Sequence, residues 1–96
     1  IESYEKAIEL DPDYDSAYNN MGGAYMDQGN YTKAIELFDK AIELNPTAAD
    51  VYWNRSIAKN DSGDKSGGLK DKMKAARLGH KGAQDYLKKN VIGFKQ

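Results

Sequence analysis

One period governs this chain. Tyr18, Tyr52 and Tyr86 stand 34 residues apart, as do Ala7, Ala41 and Ala75, and Leu10, Leu44 and Leu78. Pro12 and Pro46, Gly29 and Gly63, and Asn20 and Asn54 pair at the same spacing. Lys6–Pro12 returns as Lys40–Pro46 with a single difference, Asn45 for Asp11. A fixed period of this length marks a solenoid. One hairpin cannot bury its apolar face alone, so neighbouring units stack to complete a core.

The breaks in the pattern divide the chain into helices. Ile1, Tyr4, Ala7 and Ile8 recur at helical spacing and give residues 1–10 an apolar stripe. Pro12 stops that helix, because proline disfavours helical geometry in the residue before it. Asp13 is the expected N-cap of the next helix, which should run to about Gln28 and end at Gly29. Asn30 can cap a helix over Tyr31–Leu44, closed by Asn45 and Pro46. Thr47 can cap a helix from about Ala48 to Asp61, and a last helix is predicted from about Gly82 to Asn90. Val91, Ile92 and Phe94 are then left either to pack back on the core or to trail.

Between Asp15 and Pro46 the pattern resembles the tetratricopeptide repeat family. Tyr18, Met21, Gly22 and Tyr25 match its first helix, and Ala34, Phe38, Ala41 and Pro46 its second. Small residues at such positions let helices approach to about 8–10 Å. The resemblance implies an all-α fold, five helices in antiparallel hairpins wound into a short right-handed superhelix. Residues 1–12 then form the second helix of a truncated repeat and 15–46 a complete one. Residues 49–80 form a degenerate end repeat, and 82–91 a capping helix. All of 1–96 is expected to be one repeat domain, a piece of a longer protein because Ile1 falls within a repeat. The second repeat departs from the family, with Arg55, Lys59 and Lys72 where Met21, Tyr25 and Phe38 stood. Its small positions survive as Ser56, Gly68 and Ala75. A polar outer face suits an end repeat. Gly67 and Gly68 should each cost their helix about 1 kcal/mol against alanine.

Charge is unevenly spread. Residues 1–63 hold 5 Lys/Arg and 12 Asp/Glu, a net −7, and residues 64–96 hold 9 and 3, a net +6. No apolar run approaches the ~18 residues of a membrane span. The absence of cysteine excludes disulfides and thiolate metal sites.

Residues for chemistry are sparse. His80, the only histidine, sits where the register places a third proline and reads as a turn residue. The acidic runs Glu2, Glu5, Glu9 and Glu36, Asp39, Glu43 each lie along one helix face and read as solvated surface. A metal site needs oxygen ligands converging from several elements. Gly22-Gly23 and Gly67-Gly68 lack the lysine and hydroxyl of a phosphate loop. No catalytic residue, metal site or cofactor is expected, and the chain reads as a non-enzyme.

What the resemblance implies instead is a concave groove lined by first helices. The groove residues would be Ser16, Asn19, Asn20 and Met26 from one helix, and Asp50, Trp53, Asn54, Ile57 and Asn60 from the next. Gly23 and Asp27, Asp61, and Gln84 and Leu87 would flank them. Asp50 stands where a clamp for a C-terminal carboxylate takes lysine, so the ligand is read as a peptide or protein segment without that clamp. Two other classes stay open. One is self-assembly within a longer solenoid, or a homo-oligomer made through Ile1, Tyr4 and Ile8 or by head-to-tail charge attraction. The other is polyanion binding by the basic C-terminal third. Nucleic acid is not the expected partner, since Tyr86 and Phe94 are the only aromatics interleaved there.

Overall fold

The computed structural model describes residues 1–90; the expectations for Val91, Ile92 and Phe94 lie outside the described residues. Among the described residues six helices form and no strand. They are α1 (Glu2–Leu10), α2 (Asp15–Asp27), α3 (Tyr31–Leu44), α4 (Ala49–Asp61), α5 (Lys65–Arg77) and α6 (Lys81–Asn90). The count is one more than the five expected. A half-repeat, two full pairs and a closing helix make an even total.

The chain divides into two compact units, Ile1–Pro46 and Thr47 onward. In the first, α2 and α3 form a hairpin and α1 packs on α2. In the second, α4 and α5 form a hairpin and α6 packs on α5.

Three junctions share one device. Gly29, Gly63 and Gly79 have φ of +78°, +102° and +100°, a left-handed conformation that residues with a Cβ rarely adopt. Each lets the next residue's N–H reach back to close the helix. Asn30 donates to the Tyr25 carbonyl at 2.9 Å, Asp64 to Lys59 at 2.8 Å and His80 to Ala75 at 2.9 Å. That same residue then caps the following helix. Asn30 Oδ1 accepts from the Lys33 N–H at 3.2 Å, and Asp64 Oδ1 from Gly67 at 2.9 Å. His80 Nδ1 accepts from Ala83 at 3.0 Å.

The proline junctions work differently, and their N-cap positions shift by one residue from those expected: they are Tyr14 and Ala48 rather than Asp13 and Thr47, and neither Tyr14 nor Ala48 makes a side-chain cap bond. Asp11-Pro12 leads into a tight turn in which the Asp13 N–H donates to Asp11 Oδ1 at 3.2 Å and the Tyr14 N–H to the Asp11 carbonyl at 3.1 Å. The acceptors of that turn are those of Asp11, and the helix begins beyond it.

The core of the first unit is Ala17, Met21, Ala34, Leu37, Phe38 and Ala41, all buried. Phe38 is fully buried and lies over Gly22, where an added Cβ would sit 2.6 Å from its Cε1. In the second unit the backbones approach closely instead. A Cβ on Gly68 would fall 2.9 Å from the Ser56 carbonyl oxygen. Gly68 is therefore required by packing, whatever it costs in helix propensity.

Candidate functional site

The second unit rebuilds its core with charge. Leu37 is buried in the first unit, and its counterpart 34 residues on, Asp71, is also buried. Met21, likewise buried, corresponds to Arg55. Arg55 grips Asp71 with two bonds of 2.8 Å, Nε to Oδ2 and Nη2 to Oδ1, and Lys59 Nζ approaches Oδ2 at 3.2 Å. Paired donors of this kind match the carboxylate geometrically. The guanidinium also lies 5.5 Å from the Tyr52 ring centroid. Arg55 and Lys59, expected to present a polar outer face, instead turn onto a buried carboxylate. The sequence reading missed Asp71, although its place in the Leu37 register was visible.

The groove expectations fall on two helices, one in each unit. On α2, Ser16 and Asn20 are exposed, and Asn19 and Met26 are half-buried. On α4, Asp50 and Asn60 are exposed, and Trp53, Asn54 and Ile57 are half-buried. Trp53, Ile57 and Asn60 share one face of α4 by their spacing. Leu87 on α6 is fully buried, and Gln84 donates from Nε2 to the Ala76 carbonyl at 3.0 Å.

Trp53 has a neighbour the sequence did not suggest. The His80 ring stacks on it, with centroids 4.8 Å apart and planes 18° apart. His80 thus joins two tasks at the start of α6: its Nδ1 caps the helix while its ring covers one face of the indole. Lys72 Nζ stands 5.9 Å from the Trp53 ring centroid and 3.9 Å from that of Tyr86. An open cleft of about 360 Å³ adjoins it, lined by Asn60, Lys65, Leu69, Lys72, Tyr86 and Asn90.

Ile1 at the N-cap of α1 and Tyr4 and Ile8 on the helix are half-buried, no residue of the helix is fully buried, and Leu10 is 76% exposed. No helix among the described residues is long and apolar enough to cross a membrane.

Comparison with known proteins agrees with this architecture. Residues 16–48 match the tetratricopeptide repeat, and residues 1–29 match a second model of the TPR repeat. A crystal structure of MamA protein is similar over 99% of this chain and 49% of that one, with TM-score 0.74 and 24% identity. A further crystal structure of MamA covers 86% of this chain and 48% of its own, with TM-score 0.77 and 29% identity. The N-terminal domain of stress-induced protein-1 (STI-1) from C. elegans covers 90% and 74%, with TM-score 0.78 and 21% identity. The chain thus spans about half the length of the MamA chains. No curated protein sequence matches it.

Proposed function

This chain belongs to the tetratricopeptide repeat family, and from that premise we propose that it is a non-enzymatic scaffold that binds a peptide or protein segment. Proteins built from this repeat bind protein partners, and the family consists in general of interaction modules without catalysis. The contact residues we assign are Ser16, Asn19, Asn20 and Met26 on α2, and Asp50, Trp53, Asn54, Ile57 and Asn60 on α4. The observation that carries the reading is the α4 face. It sets a half-buried tryptophan one turn from a half-buried isoleucine. Large aromatics with few rotatable bonds dominate the energy of most interfaces.

The experiment is capture of a partner with the intact protein, followed by calorimetric titration of that partner with Trp53→Ala, Trp53→Phe and Ile57→Ala. A loss of more than about tenfold in affinity, ~1.4 kcal/mol, is expected for Trp53→Ala and Ile57→Ala. Trp53→Phe keeps a ring against His80 and should retain most of the binding. Equal affinity for all three variants, each folded by circular dichroism, removes this face from the interface.

A second reading is favoured by one observation, the poor burial of α1. A helix offering Ile1, Tyr4, Ile8 and a well-exposed Leu10 is suited to association with another copy. Light scattering at rising concentration should show growth in mass that Tyr4→Ser and Ile8→Ser abolish. A monomer at every concentration refutes it.

A further inference from the structure

The second unit lacks an aromatic residue at a position the first unit fills. In the first unit Phe38 is fully buried and lies against Gly22. Thirty-four residues on stands Lys72. Its ammonium does not occupy the equivalent interior. It rests on the Tyr86 ring, 3.9 Å from the centroid, beside the cleft of about 360 Å³. That volume lies at the small end of ligand pockets and admits one aromatic side chain.

The lining has a consistent chemistry. Leu69 and Tyr86 both line it, and they are the exposed large hydrophobic residues of this unit among those described, at 39% and 37%. Lys65 and Lys72 supply two positive charges, and neither makes an ion pair among the described residues. Asn60 and Asn90 supply amides, and among the described residues no carboxylate lines the cleft. The acidic groups of α5 and its cap are committed elsewhere, Asp64 to the Gly67 N–H and Asp71 to Arg55 and Lys59. The surrounding segment, residues 64–96, carries the net +6.

We propose that this cleft binds an acidic peptide through one aromatic side chain flanked by carboxylates. The ring would enter against Leu69 and Tyr86, the two exposed large hydrophobic residues that line the cleft. The flanking carboxylates would meet Lys65 and Lys72. An ammonium has three donors, so Lys72 can keep its place over Tyr86 while bonding a carboxylate. This inference rests on the scaffold reading above and adds a ligand chemistry and a second site to it, mainly on α5 and α6 and meeting the α4 face at Asn60.

The test is fluorescence anisotropy with a labelled pentapeptide, one phenylalanine between two pairs of aspartates, titrated into the intact protein. Saturable binding is expected. It should weaken about tenfold or more when alanine replaces the peptide's phenylalanine, and by at least as much in the Lys65→Gln, Lys72→Gln double variant. Leu69→Ser, an exposed change that leaves all charges in place, should also weaken it, and added salt should weaken it steadily. Equal binding of the alanine peptide, or wild-type affinity in the double variant with its helix content intact, overturns the proposal. A partner that depends on Trp53 but ignores Lys65 and Lys72 overturns this site alone and leaves the scaffold reading standing. Peptide binding here with no loss of partner affinity in Trp53→Ala does the reverse to the first-helix face.

Discussion

Removing Asp71 is the most informative perturbation this structure offers. Its carboxylate is 7% exposed, Arg55 17% and Lys59 22%. Breaking a buried ion pair from one side typically costs about 3–5 kcal/mol, because the partner is left charged and dry. Water reaches Arg55 and Lys59 in part, which reduces the expected loss for Asp71→Leu to about 2–3 kcal/mol. In a domain of this size that lowers the melting temperature by roughly 10–20 °C. Arg55→Met should cost less, about 1–2 kcal/mol, since Lys59 remains on the carboxylate. The double variant Arg55→Met, Asp71→Leu recreates the Met21 and Leu37 chemistry of the first unit. It should recover to within about 1 kcal/mol of wild type or exceed it, because apolar residues of similar volume often replace such pairs without loss. Lys59 can turn its amine to water along its flexible stem. Urea melts of the four proteins close a double-mutant cycle with an interaction energy of about 2 kcal/mol or more. If the double variant loses the sum of the single losses, the ion pair does not occupy the place of the apolar pair and the register argument fails.

Two further predictions concern stability. Gly22→Ala should cost about 1–3 kcal/mol, because its Cβ meets the fully buried Phe38 ring. Gly23→Ala, with nothing within 4 Å, should gain up to ~1 kcal/mol. Thermal melts giving the two neighbours the same sign would contradict the packing described. His80→Ala should cost about 1–2 kcal/mol through the lost cap and ring contact. His80→Asn should restore only the cap, and tryptophan fluorescence should report the uncovered indole in both variants; unchanged emission refutes the stack.

The Gly29-Asn30 junction was legible in the sequence, although α2 ends at Asp27 rather than about Gln28. Asn30 caps α3, which spans Tyr31–Leu44 as read, because glycine and asparagine act through their own backbone freedom and a short side chain. At the proline junctions the N-caps fall one residue later than read; at the first, the turn ties the Asp13 and Tyr14 N–H groups to Asp11 and the helix starts beyond it. Gly68 was read both as a surviving small position and as a cost in propensity; the fold adds the Ser56 carbonyl that a methyl group there would meet at 2.9 Å. Of the candidate contact surface, the α4 face follows from helical spacing alone. The His80 stack and the cleft beside Lys72 depend on where α6 lands, which periodicity does not specify.

A chain of near-identical helices has a sorting problem while it folds. Lys6–Pro12 and Lys40–Pro46 differ at one residue, so α1 and α3 offer closely similar surfaces to any first helix that is still unpaired. The Arg55–Asp71 contact supplies an address. If α4 docked on α3 in place of α5, Arg55 would face Leu37, a charge against a methyl group, and Asp71 would be left buried opposite Met21. Neither mismatch has a partner at hand, so both mispaired hairpins are penalised at once. The two hairpins thus carry different pairs at the same register, which favours α5 over α3 as the partner of α4.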